Sequence, residues 1–190
     1  KTSFTSDNKG TEFSYSIDGI ITHVNTSGLA GIGEWHHTSD LLLELEQGST
    51  YEFVWSIVNY GKFGGHNPVA FLAEMSFLGH TYLTNNSSWE VKSASTSEKW
   101  VTASLNTTGG TSAANGADNI WTKVRPDGVD GISTNAMWLW DDKANGENDT
   151  MSFRIVINNK RLVEATSPNM FALFGAAVLL LTFKSRRLHA

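Results

Sequence analysis

The 190-residue chain contains no cysteine. That excludes disulfide staples, thiolate metal sites and cysteine nucleophiles. Strong helix formers are sparse beside the many Ser, Thr, Asn and Gly residues, which suits strands joined by polar turns. Phosphate-binding loops, dinucleotide fingerprints, heptads and internal repeats are missing. So is the Gly-x-Ser-x-Gly elbow of hydrolases, and the scattered carboxylates form no recognisable catalytic pair. These absences point to a protein that is not an enzyme.

What is present supports a folded domain. Hydrophobic residues make up 40% of the chain and aromatics 11%, with seven tryptophans among them. That is too apolar for disorder, and the length suits one domain with short appendages. The net charge of −5 hides an asymmetry. Residues 168–190 hold Lys184, Arg186 and Arg187 and no acid, so the rest carries 11 basic against 19 acidic side chains, about −8. An acidic domain repels phosphate backbones, so nucleic acid is not an expected partner.

Residues 170–183 read MFALFGAAVLLLTF, fourteen positions without a charge, and Lys184-Ser-Arg-Arg187 follows at once. As a helix the run spans about 21 Å, short of the roughly 30 Å hydrocarbon core unless flanking residues snorkel. Its all-round apolarity and the polar break Ala165–Asn169 before it favour a membrane-type segment over a buried core helix. The basic cluster would hold its end on the cytoplasmic side. The chain begins at Lys1, and no apolar run follows it, which reads as numbering from a signal-peptidase cut. Export without cysteine points toward a bacterial exterior.

This tail resembles a PEP-CTERM sorting tail. A Pro-containing motif, here Ser167-Pro168-Asn169 in place of Pro-Glu-Pro, leads into a short apolar helix with Ala172-Leu-Phe-Gly175 near its start and a final Arg cluster. The resemblance implies an exported protein of a Gram-negative bacterium. It also implies transient passage through the inner membrane and processing by an exosortase-like protease. The resulting division is an ectodomain over 1–163, a linker with the sorting-like motif over 164–169, and a hydrophobic helix with basic tail over 170–190.

Short alternating runs recur through the ectodomain: Phe13–Ile17, Leu41–Leu45, Tyr51–Ile57, Ala70–Phe77, Trp89–Lys92, Ala136–Trp140 and Ser152–Ile157. Turn signals at 46–49, 60–65, 106–117 and 141–149 separate them. Roughly eight such strands predict an all-β fold, an antiparallel β-sandwich or jelly roll. The series Asn67-Pro-Val-Ala-Phe-Leu-Ala73, Thr84-Asn-Asn-Ser-Ser-Trp89, Ala136-Met-Trp-Leu-Trp140 and Phe153-Arg154 is similar to galactose-binding-like jelly rolls. Phe71, Trp89, Trp138, Trp140 and Phe153 are expected as inward anchors of the sandwich. Arg154 is expected to pair with an acid or with carbonyls at a strand end.

Three clusters are candidate sites. Asp141, Asp142, Asn145, Glu147 and Asp149 form the densest oxygen-ligand run and could hold calcium, although Lys143 breaks the EF-hand pattern; the bland reading is a solvated turn. Glu34, His36 and His37 read as a surface loop and not as a metal site, because neighbouring histidines in a strand point to opposite faces and cannot readily share one ion. The resemblance places ligands on loops at one end of the sandwich, where His66 lies just before Asn67-Pro68. Tyr60, Trp100 and Trp121 are the aromatics placed by sequence on loops or rims, where a sugar could stack. The expectation is therefore a surface or matrix protein whose jelly roll binds extracellular polysaccharide. Its rival is a structural subunit that self-assembles into a fibre or layer, with the apolar helix packing between subunits.

Overall fold

A computed structural model of the chain describes residues 1–7, 9–26, 38–45, 48–58, 70–77, 79–93, 96–108, 110–121, 126–141 and 150–159. In order these carry β1 (Thr2–Asp7), β2 (Lys9–Ile17), β3 (Ile20–Val24), β4 (Ser39–Leu41), β5 (Thr50–Val58), β6 (Ala70–Phe77) and β7 (His80–Leu83). They continue with β8 (Trp89–Ser93), β9 (Val101–Thr102), β10 (Ser104–Leu105), β11 (Leu139–Trp140) and β12 (Thr150–Asn158). Every pairing is antiparallel. One sheet runs β10-β11-β6-β1-β4 with β7 also on β6, and the other β3-β2-β5-β12-β8-β9. Among the described residues no helix is long and apolar enough to cross a membrane.

The two sheets pack face to face, and the reason is written along β5. Tyr51, Phe53, Trp55 and Ile57 are buried, while Glu52, Val54, Ser56 and Val58 between them are only partly so. That is the period-two pattern of a strand with one buried face. Trp55 is the hub. Its ring lies 4.9 Å from Phe13, 5.3 Å from both Phe71 and Trp89, and 6.1 Å from Phe4. Phe71 also stacks on Phe153 at 5.1 Å. Four strands of one sheet and two of the other thus meet in one aromatic cluster. Each such pair adds roughly 0.5–1.5 kcal/mol beyond the area it buries.

Strand β6 departs from the alternation because both its faces are covered. Phe71, Ala73, Met75 and Phe77 enter the inter-sheet core. Ala70 and Leu72 face the other way, into a second core with Trp121, Val129, Ile132, Ala136 and Trp138. That second core comes from the long connection between β10 and β11, folded back over the outer face of the first sheet. The expectation for the two tryptophans near 140 is corrected here. Leu139 takes the inter-sheet position and is fully buried, so alternation turns Trp138 onto the outer face and leaves Trp140 only partly buried.

The described residues of the connection form no regular strand, so buried side-chain amides satisfy its backbone. The Asn115 side chain donates to the Val129 and Ile132 carbonyls at 3.2 and 2.9 Å and accepts from the Val129 amide at 2.7 Å. The Asn119 amide donates to Ser112 and Ala114 carbonyls, and its oxygen accepts from the Trp121 amide. Gly128, at φ +85°, lies so close to this clamp that a Cβ there would stand 2.7 Å from Asn115 Oδ1. Glu74, on the outer face of β6, accepts from the Ser133 amide at 2.7 Å and ties the connection to the sheet.

Asn115→Ala strands three buried backbone groups, so it should cost about 3 kcal/mol. The measurement is urea unfolding of wild type and variant. A loss well under about 1 kcal/mol would mean the connection is held by its apolar contacts alone.

Candidate functional site

The outer face of the second sheet is polar and charged, and strand register assembles it. Thr102, Glu90, Arg154, Val54, Ser14 and His23 lie opposite one another in a row across all six strands. With strands about 4.8 Å apart, the row is roughly 24 Å long. Beside it run Lys92, Ser152, Ser56 and Glu12 on one flank, and Val156, Glu52, Ser16 and Ile21 on the other.

Arg154 sits within this row. Its Nε donates to Glu90 at 2.6 Å and its Nη1 to Glu52 at 2.8 Å. Trp100 covers it, with the guanidinium 4.3 Å from the ring centroid and the Lys92 ammonium at 5.2 Å. The Arg154 side chain keeps 23% of its exposure. Burial works against its charge, but the bonds to Glu90 and Glu52 outweigh that and hold the guanidinium pKa above its ordinary value. Each glutamate spends one carboxylate oxygen on Arg154. At the far end of the row His23 contacts Glu12, and Ser56 and Ser152 share a hydrogen bond of 3.0 Å.

This arrangement joins an aromatic ring, a fixed cation and two oriented carboxylates on one open surface. Two crevices into the inter-sheet core, one beside Trp55 and one beside Phe53, each hold about 10 Å³, room for a water molecule at most. A larger ligand at either place would have to stay on the surface.

The sequence candidates separate accordingly. Trp100 is partly exposed and belongs to this face. Trp121 does not occupy a rim: it is 3% exposed and stacks on Trp138 at 4.4 Å, because the connection folds its ring onto β6. Asp141 is 1% exposed and accepts a hydrogen bond from the Ser93 hydroxyl. Tyr60 and His66 lie outside the described residues, as do Glu34, His36 and His37. The same holds for Asp142, Asn145, Glu147 and Asp149, and for the tail residues Ser167, Pro168, Asn169, Lys184, Arg186 and Arg187. Among the described residues no three His, Asp or Glu side chains gather as a metal site.

Glu52 and Glu90 are the members that sequence reasoning missed. A signal existed, since Arg154 is a cation inside the otherwise apolar stretch Phe153–Ile157 and must find acids across the sheet. They lie on the two strands flanking β12, opposite or diagonal to Arg154, which itself sits mid-strand. Comparison with protein families, with curated proteins and with solved structures finds no match to the chain.

One carboxylate on the opposite sheet gives a direct electrostatic check. Ser3 donates to Asp40 at 2.6 Å and the Lys1 ammonium lies 3.0 Å away. The serine bond foremost, then Lys1, holds the Asp40 carboxyl below its usual range despite some burial. A depressed folded-state pKa stabilises the fold above the unfolded value, and that contribution fades as pH falls through the folded value. Ser3→Ala should move the Asp40 titration upward toward the ordinary carboxylate range, followed by carboxyl NMR. The variant's stability deficit should then shrink in acid.

Proposed function

We propose that this is a non-enzymatic, exported cell-surface or matrix protein that binds extracellular polysaccharide on the outer face of its second sheet. The observation that carries the reading is Trp100 laid over Arg154 between Glu52 and Glu90. A sugar ring offers C–H faces to an aromatic surface and hydroxyls to charged acceptors and donors, which this cluster supplies together. Both carboxylates are committed to Arg154, which suits holding a ligand better than transferring a proton.

The open row favours a chain over a monosaccharide, since a long linear ligand can engage several strands at once. The jelly-roll topology and the C-terminal apolar helix with its sorting-like motif belong to the same reading, as does localisation outside a Gram-negative cell. They rest on the residues set out above for each resemblance. The acidic turn from Asp141 to Asp149 remains the proposed calcium position; the buried Asp141 gives that turn one anchored end.

The test is retention of the full-length chain in polysaccharide affinity gels, alongside a glycan array. Trp100→Ala should lower affinity at least tenfold, or about 1.4 kcal/mol. Arg154→Lys should weaken it less, because a point charge replaces the guanidinium fork. Wild-type protein that binds no glycan, or a Trp100→Ala variant that binds as well as wild type, would sink the proposal. Chelation should lower the melting temperature if the acidic turn holds calcium.

A further inference from the structure

The strands that end the two sheets differ in length. β4, β9 and β10 have three, two and two residues, and β7 beside β6 has four. β3 has five, reading Ile-Ile-Thr-His-Val. An open strand edge is a template for another chain, and proteins blunt such edges with shortness, Lys, Pro or a bulge. β3 has no Lys and no Pro, and its register against β2 runs unbroken from Val24 to Ile20. Ile20 and Ile21 are 76% and 64% exposed. Both are large apolar side chains presented to water on an edge.

The hairpin geometry says which backbone groups are open. Asp18 and Gly19, at φ 47° and 92°, form a two-residue turn that closes on the pair Ile17–Ile20. In an antiparallel ladder the hydrogen-bonded pairs alternate. Ile20, Thr22 and Val24 therefore bond to β2, while the N–H and C=O groups of Ile21 and His23 point away from it. No described strand pairs with that side.

We propose that β3 pairs antiparallel with β3 of a second copy of this chain, about a two-fold axis at Thr22. The register is self-complementary. Ile20 meets Val24 of the second copy, Ile21 meets His23, and Thr22 meets itself. Apolar residues and threonines are favourable cross-strand partners, and no two like charges face each other. Ile21 and His23 would exchange both backbone bonds with their opposites, giving four intermolecular hydrogen bonds. Sliding the register toward Asn25 sets two histidines face to face, and sliding it toward the turn loses a bonding pair.

A two-fold contact closes on itself, so the product is a pair and not a filament. The second sheet would continue from one chain into the next, with a Trp100–Arg154 cluster on each half of one surface. The inference stands on the edge alone and does not depend on polysaccharide binding.

The experiment is a concentration series of the full-length chain by sedimentation velocity, in detergent that covers the apolar run at 170–183. The protein mass in the particle should rise from one chain toward two. Ile21→Pro removes an outward N–H without touching the bonds to β2, and Ile21→Lys places a cation opposite His23. Both should hold the protein to one chain at concentrations where wild type is paired, with melting temperature nearly unchanged. In wild type, exchange of the Ile21 and His23 amides should slow as concentration rises. A wild-type chain that stays single throughout overturns the proposal. So does a pair that persists in both variants, which would assign association to another surface.

Discussion

Strand β6 buries apolar residues on both faces, and the fold is arranged around covering both. The side bearing Phe71, Ala73, Met75 and Phe77 requires a second sheet, and the Trp55-centred cluster on β5 supplies it. The side bearing Ala70 and Leu72 requires something else, since the sandwich has only one interior. The connection between β10 and β11 meets that need by folding over it with Trp121, Val129, Ile132 and Trp138. A covering segment without strands must find partners for its own peptide groups, and for that reason Asn115 and Asn119 are buried there. Burial on two sides of one strand thus accounts for the aromatic core, the long connection and its asparagine clamps.

The second sheet has the opposite character on its outer side. Trp100 lies over part of it, most of its outward positions are polar, and register decides which of them meet. Arg154 tolerates partial burial only because Glu52 and Glu90 flank it and Trp100 lies over it. The same three side chains that stabilise the arginine leave a ring and spare carboxylate oxygens on an open surface. Stability and the proposed recognition therefore draw on one cluster. A ligand would add to contacts that already hold their geometry, which lowers the entropic cost of binding.

Much of the strand content was legible. Tyr51–Ile57 and Ala70–Phe77 could be read directly as short strand-like runs, the first with the cleaner alternation. Thr2–Asp7 was not, because only Phe4 is apolar among its first five residues, although Thr2, Ser3, Thr5 and Ser6 are all buried. A polar strand in the middle of a sheet carries no hydrophobic period to detect. The Trp138 error came from a one-residue choice of phase: with Leu139 inward, both neighbouring tryptophans leave the inter-sheet core. Trp121 was misplaced for a related reason, since the segment around it is irregular and only its docking onto β6 buries it. Of the candidate surface, Trp100 could be picked out alone, but not the acids that meet Arg154.

By itself, the sequence determined the all-β class, the absence of disulfides and the aromatic supply of the core. These follow from local chemistry: side-chain branching, backbone freedom and the period of apolar residues along a strand. The tertiary structure alone decided that β6 is covered twice, that Trp121 is core and that Trp100, Glu52, Glu90 and Arg154 share one face. Those residues stand up to 102 positions apart, as Glu52 and Arg154 do. Only the pairing of β12 with β5 and β8 brings them together, and pairing order is a property of the whole chain's packing, not of any segment within it.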